Sequence, residues 1–168
     1  MSISMYSASV PVYVQFLTAL AGVLKKAEEH CAAKKIEPSV LVTARLSPDM
    51  FALARQVQIA TDHAKGSVAR LAGVEVPSFA DTEATFEELQ ARIAKTLDYV
   101  KGFKPAQIDG SDDKDIVLEM RTTKLELKGV DYLTRFALPN FFFHTTTAYA
   151  ILRHCGVDVG KRDFMGGK

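Results

Sequence analysis

The chain has 168 residues, which is long enough to bury a substantial core without disulfide bonds or metal crosslinks. Its 21 lysine and arginine residues nearly balance 20 aspartate and glutamate residues, so a net charge of +1 provides no broad field to attract nucleic acid or an anionic membrane surface. We expect neither as a partner. The length predicts one domain over residues 1–168.

The cysteines indicate the compartment. Cys31 and Cys155 are far apart with no CxxC spacing, which argues against a redox pair, a zinc knuckle or a secreted disulfide framework. The N-terminal residues do not resemble a signal peptide. No apolar run approaches the roughly 18 residues that suggest a membrane span. We therefore expect a soluble, cytoplasmic protein.

Two stretches in the first half have the three-to-four-residue apolar period of amphipathic helices. The first extends from about Ser9 to Lys35, with Pro11 acceptable in the first helical turn. The second is expected to begin at Ser47-Pro48, a serine N-cap followed by proline, and to end near Gly73.

The second half contains a third helix and a change of period. The third helix is expected to begin at Asp81 or Thr82 and to be stopped by Gly102 and Pro105. Apolar residues then alternate in two short runs, which predicts a small β-hairpin with Arg121 to Lys124 between its strands. The alternating residues are Ile116, Leu118 and Met120 in the first run, and Leu125 and Leu127 in the second.

The last helical region is expected to start with Asp131 as a cap and to kink or restart at Pro139, which lacks an amide hydrogen. Its main helix is predicted from Pro139 to Cys155, with Gly156 as C-cap. The glycine-rich tail beyond is expected to be non-helical. Together these segments predict a mainly α four-helix bundle with a small β-hairpin between helices three and four.

The best candidate for chemistry is a pair in the last helix. Asn140 and His144 are four residues apart, about 40° around the helix and one turn along it, so both side chains can reach one place. Asparagine is a poor transition-metal ligand, and a hydrogen-bonded polar pair explains the spacing equally well. Thr147 and Tyr149 lie nearby in supporting positions. Mid-helix threonines also arise without function, when their hydroxyls bond back to the preceding turn.

Other candidates carry weaker signals. His63 is two turns from Gln56 on nearly the same helix face and could enter a pocket between helices. The basic residues Arg55, Lys65 and Arg70 of helix two are interpreted as solvated or snorkelling side chains. No nucleophile elbow, phosphate loop, dinucleotide fingerprint or HExxH motif occurs in the sequence.

Two stretches, SPDMFALARQVQIATDHAKG and PNFFFHTTTAYAILRHCGVDVGKRDFMG, resemble a bacterial family of domains of unknown function within the DinB/YfiT-like metalloenzyme superfamily. The linking stretch GVEVPSFADTEATFEEL fits the same pattern, so the likeness spans nearly the whole chain. The resemblance implies a DinB-like four-helix bundle that is commonly dimeric, and we expect a homodimer.

Members of that superfamily that hold a divalent metal, such as nickel or zinc, use one histidine from helix two and a HxxxH pair from the last helix. In this sequence the likeness puts His144 on the second histidine of that pair and Asn140 on the first. It puts Gln56 on the helix-two histidine, with His63 as the alternative register. The implied set keeps one strong ligand of three, so tight nickel or zinc binding is not expected.

The leading hypothesis is therefore a polar pocket at Gln56, Asn140 and His144 that binds a small molecule or a weakly held divalent metal. If there is catalysis, His144 is the best candidate for general base. One alternative is a non-enzymatic dimeric bundle whose polar trio is structural. Some superfamily members are thiol-dependent transferases or isomerases, and a second alternative for this chain is a thiol-dependent transferase that uses Cys31 or Cys155.

Overall fold

The computed structural model describes residues 3–119 and 123–167. Within these ranges four long helices form a bundle: α1 (Val10–Lys34), α3 (Leu53–Ala72), α4 (Phe86–Lys101) and α7 (Leu138–His154). The short helices are α2 (Pro38–Val42), α5 (Pro105–Ile108), α6 (Gly129–Asp131) and α8 (Lys161–Phe164). Two antiparallel strands, β1 (Asp115–Glu119) and β2 (Lys124–Lys128), lie between α4 and α6 in the chain. The predicted fold class is confirmed.

The core forms where the apolar stripes of the long helices meet. α3 packs against both α7 and α4, and α1 packs against α4 and α7. The ring of Tyr13 on α1 meets Phe141 on α7 edge to face, with 4.9 Å between centroids. None of the described helices has the length and apolar character needed to cross a bilayer.

Two of the long helices begin later than predicted. Ser47-Pro48 does not start α3, because Ser47 instead closes a turn in which the amide of Met50 donates to its carbonyl. α3 begins at Leu53, so Met50 lies outside it. α4 begins at Phe86 and not near Asp81, because Thr85 caps the helix.

That cap is a capping box, in which Thr85 Oγ1 accepts from the Glu88 amide at 3.2 Å and the Glu88 carboxylate accepts from the Thr85 amide at 3.0 Å. It satisfies two backbone amides at the start of the helix. The TxxE pattern was present in the sequence as a local signal for this boundary.

The last helical region changes from π-helical to α-helical hydrogen bonding just before Pro139, where the sequence predicts a kink or a restart. Residues Tyr132–Ala137 form a π-helical segment that leads directly into α7. A proline amide cannot donate to the preceding turn, and a wider turn accommodates this loss. Gly156 lies just after α7 with φ 86°, a left-handed conformation that glycine adopts without strain.

The tail departs from the prediction in one detail, since α8 is a single helical turn. Val157 and Val159 are buried, and the ring of Phe164 packs 5.4 Å from that of Phe16. The tail is thus fixed to α1 by apolar contacts.

In the hairpin, Ile116 pairs with Leu127 and Leu118 with Leu125. The β1 pair is buried and the β2 pair is half-buried, as the alternation predicts. Met120, assigned to the first strand in the sequence analysis, and Arg121, assigned to the turn, lie outside the described residues.

A buried arginine joins the α3–α4 connection to both helices. Arg92 on α4 is 3% exposed, and its guanidinium pairs with Asp62 at 2.8 Å, Asp81 at 3.0 Å and Glu83 at 3.0 Å. We name these four residues the Arg92 clasp. The guanidinium also donates to Thr61 Oγ1 at 2.7 Å. Because Asp62 belongs to α3, the clasp fixes the connection and α4 against the helix that carries His63.

The interpretation of Lys65 as a solvated side chain was wrong. Lys65 is buried and its Nζ lies 2.8 Å from Asp62. Nζ of Lys65 also lies over the ring of Phe79, 4.9 Å from its centroid. Nζ of Lys95, a residue of α4, lies 4.1 Å from the same centroid. Burial is tolerated because both a carboxylate and an aromatic face stabilise the ammonium group.

Candidate functional site

His144 lies on the face of α7 that packs against α3 and is 9% exposed. Its Nδ1 is 2.7 Å from Oε1 of Gln56, which is near the start of α3 and 1% exposed. Nε2 of Gln56 donates to the backbone carbonyl of Phe51 at 3.0 Å. A chain of two hydrogen bonds therefore links α7, α3 and the loop before α3.

This chain determines where the imidazole proton lies. The carbonyl of Phe51 can only accept, so the amide nitrogen of Gln56 must face it and the amide oxygen must face His144. Nδ1 of His144 is consequently the protonated nitrogen. Nε2 then keeps its lone pair, and it forms no hydrogen bond with any residue of 3–119 or 123–167.

A second histidine covers the first. The ring of His63, two turns after Gln56 on α3, stacks on that of His144 with 5.9 Å between centroids and 14° between planes. The His63 ring also packs against the ring of Phe136, with 5.9 Å between centroids. His63 was the alternative register in the sequence analysis, and the structure places it beside His144 together with Gln56.

Burial decides the charge of both rings. It lowers the pKa of His63 to about 4, with a further contribution from the neighbouring His144. Burial also lowers the pKa of His144, and the charge of Arg55 adds to this effect. Both imidazoles are therefore neutral near pH 7. We name Gln56, His63 and His144 the histidine cluster.

Asn140 forms no hydrogen bond with His144 in the described residues. The Asn140 amide turns back along the helix and donates to the carbonyl of Phe136 at 2.7 Å. That carbonyl belongs to the π-helical segment before Pro139, where the regular spacing of helix bonds is interrupted. The Asn140 side chain is thus hydrogen-bonded within its own helical region.

Thr147 and Tyr149 also lie apart from the cluster's hydrogen bonds. The hydroxyl of Thr147 donates to the Phe143 carbonyl at 2.7 Å, which is the bond back to the preceding turn considered above. The ring of Tyr149 packs 5.7 Å from that of Phe164 in the tail. Both contacts are made within the protein and outside the hydrogen bonds of the histidine cluster.

The donor set can be tested against a divalent metal on its chemistry. His144 Nε2 is one strong nitrogen ligand, whereas the Gln56 oxygen is engaged by His144 and the Asn140 amide by Phe136. Across residues 3–119 and 123–167 no group of three histidine, cysteine or carboxylate side chains is arranged to hold an ion. These residues fit a weakly held ion at most, since tight zinc or nickel sites use three or four such ligands.

The cysteines have the opposite environment to that of reactive thiols. Cys31 is buried and Cys155 is half-buried, and both are free. Burial raises the pKa of each thiol. A thiolate nucleophile needs a lowered pKa, so neither residue is prepared for thiol transfer.

Residues 5–165 match the domain of unknown function DUF1993. The chain belongs to this family. The DUF1993 chain is also similar to the crystal structure of a DinB family member protein from Shewanella denitrificans, with 40% sequence identity and a TM-score of 0.88. That similarity covers 97% of this chain and 92% of the other. No curated protein matches the sequence. The predicted family and DinB-like fold are confirmed.

Sequence reasoning missed Arg92 in this DUF1993 chain. A signal existed, because Arg92 follows Leu89 by three residues and precedes Ile93, which places a charge on the apolar face of α4. Such a residue must find buried partners, and acidic residues stand close before the helix. The positions of those partners depend on how the connection folds, which the sequence pattern does not give.

Proposed function

We propose that the histidine cluster is a small-molecule site in which Nε2 of His144 accepts a proton or a hydrogen bond from the ligand. The fixed tautomer carries this proposal. Gln56 holds Nδ1–H of His144 in one direction, an arrangement that leaves the opposite nitrogen basic and oriented. In a reaction His144 would be the general base, and Gln56 would be its positioning residue.

The neighbours of His144 suit a neutral base. The ring of His63 stacks on one face of the His144 ring, and the ring of Phe143 packs edge to face with it, with 5.2 Å between centroids. A weakly held divalent ion would use the same Nε2 atom as its one imidazole ligand.

The test is a fragment screen by NMR on protein purified without an affinity tag, with metal analysis of the same sample. We expect fragments that shift the His144 ring resonances in the wild type to lose at least about tenfold in affinity in H144A. The matched control is H154A, because His154 is an exposed histidine at the end of the same helix. If fragments bind both variants as they bind the wild type, the proposal is wrong.

A second candidate is a non-enzymatic homodimer in which the cluster is structural. It is favoured by an apolar groove of about 400 Å³ along the outer face of α7. Phe143 lines this groove and is 56% exposed, and Leu46 adds another exposed apolar side chain. Light scattering of F143S against the wild type tests it. Conversion of a wild-type dimer to monomer would support a dimer surface, and a monomeric wild type would refute it.

A further inference from the structure

A cleft of about 240 Å³ opens beside the histidine cluster, between α3 and the hairpin. Leu118 and Phe136 form an apolar part of its wall, and His63 and Arg70 form a basic part. Asp62 and Glu119 complete the lining. Drug-sized ligands occupy sites of roughly 300–1,000 Å³, so this cleft suits a smaller molecule.

Arg70 is the positively charged side chain of the cleft, and it has no counterion among the described residues. It is half-buried, and its Nη1 donates to the hydroxyl of Tyr132 at 3.3 Å, which is a neutral partner. Arg70 forms no ion pair with any carboxylate in the described parts of the chain. An arginine with unused N–H donors in a partly desolvated place is suited to bind a planar oxyanion through two parallel bonds.

The nearby Asp62 does not neutralise Arg70, because its own charge is already paired. One of its oxygens lies 2.8 Å from both Lys65 Nζ and the Arg92 guanidinium. Glu119 is exposed at the end of β1. The carboxylate of Glu119 in the wall, unpaired among the described residues, disfavours a doubly charged ligand, so a monoanion fits better than a phosphate.

We propose that the ligand of this site is a small carboxylic acid, whose carboxylate pairs with Arg70 and whose apolar body lies between Leu118 and Phe136. This assignment rests on the proposed function, because the bound molecule would lie against His63, the outer ring of the histidine cluster. The neutral ring of His63 beside Arg70 can donate to or accept from a polar group on the same molecule.

A substitution at Gly66 offers a second way to perturb Arg70 without changing its charge. A Cβ added at Gly66 would lie 2.5 Å from Arg70 Nη1, so the end of the arginine side chain would have to move aside. Alanine at this position removes no charge and favours the helix. It must instead displace the guanidinium from its place over α3.

The experiment titrates the full-length protein with three probes and follows the side-chain resonances of His63 and Arg70 by NMR. Benzoate is the test probe, benzamide is its neutral isostere, and inorganic phosphate is the alternative anion. We expect benzoate to shift both resonances and to bind at least about tenfold more tightly than benzamide or phosphate.

Three variants accompany the titration. R70Q removes the charge and G66A displaces it, and each should weaken benzoate binding at least about tenfold. R153Q is the matched control, since Arg153 is exposed on α7 and does not line the cleft. It should bind benzoate as the wild type does. G66A also keeps the test decisive if R70Q fails to fold.

Three results would overturn the assignment: no shift with benzoate up to its solubility limit, equal affinity for benzoate and benzamide, or tighter binding of phosphate. Unchanged benzoate affinity in G66A and R70Q would do the same. Failure here differs from failure of the proposed function. If neutral fragments still shift His144 while benzoate does not bind, only the charge assignment is wrong.

Discussion

Replacing Arg92 by methionine tests whether the clasp holds the fold as its geometry indicates. Methionine fills a similar volume without charge, so the substitution isolates the lost ion pairs and hydrogen bonds. Breaking a buried ion pair by removing one partner typically costs about 3–5 kcal/mol. We expect R92M to lower the free energy of unfolding by about 3 kcal/mol, near the lower end of this range.

We expect a cost near the lower end of the range of about 3–5 kcal/mol because each carboxylate keeps another partner when Arg92 is removed. Asp62 retains Lys65, and Asp81 retains Arg55. Glu83 is the most affected, because its side chain is only 13% exposed and its remaining partner is the Gln58 amide at 3.0 Å. The loss therefore falls mainly on one carboxylate.

Urea unfolding followed by far-UV circular dichroism at pH 7 measures the change. R153M is the control, because Arg153 is exposed and its replacement should stay within about 0.5 kcal/mol of the wild type. The double variant R92M/E83L should recover part of the loss, since it removes the buried charge that R92M leaves unpaired. The reasoning is refuted if R92M costs less than about 1 kcal/mol, or if the double variant is less stable than R92M.

Three further predictions concern the helix start and the histidine cluster. T85A removes a capping-box oxygen and should cost about 1 kcal/mol, measured by thermal unfolding against the wild type. The folded pKa of His63, about 4, lies below the ordinary value of 6.5, so the unfolded chain binds more protons between these pH values. Stability from this residue is therefore present above pH 6.5 and falls by up to about 3 kcal/mol as the pH drops to 4. Urea titrations across this range should show a weaker pH dependence in H63Q and no such change in H154Q. Q56L should cost about 1–3 kcal/mol by leaving Nδ1 of His144 without its acceptor, and a double-mutant cycle with H144F should give a coupling of at least about 0.5 kcal/mol.

The sequence pattern was sufficient for the bundle because each long helix carries its own apolar period. Burial of that stripe against neighbouring helices decides the fold with little help from particular residues. Boundaries were less accurate where a local cap competes with a general signal. Ser47-Pro48 matched a helix start, yet α3 begins at Leu53, and Thr85 rather than Asp81 caps α4.

The candidate site was predictable as a location and not as a set of contacts. The resemblance put Gln56 and His144 at one level of the bundle. In the structure, Oε1 of Gln56 lies 2.7 Å from Nδ1 of His144. The resemblance could not give the direction of Asn140, whose amide follows the widened helix before Pro139. A π-helical turn arises from how the chain packs on both sides of the proline, which periodicity does not encode.

The Arg92 clasp and the histidine cluster adjoin in the sequence, because Asp62 belongs to the clasp and His63 to the cluster. This proximity affects the protonation of His63. The negative charge of Asp62 favours protonation of His63, whereas burial, His144 and Arg70 oppose it. Because Lys65 and Arg92 both pair with the carboxylate of Asp62, its field at the imidazole is weakened. The opposing effects then dominate, so His63 stays neutral. Among the described residues, Arg70 and Glu119 are the charged groups of the cleft that form no ion pair. Under the proposed ligand assignment, a buried arginine on α4 that does not line the cleft would influence which ligands the cleft binds, because it pairs with Asp62.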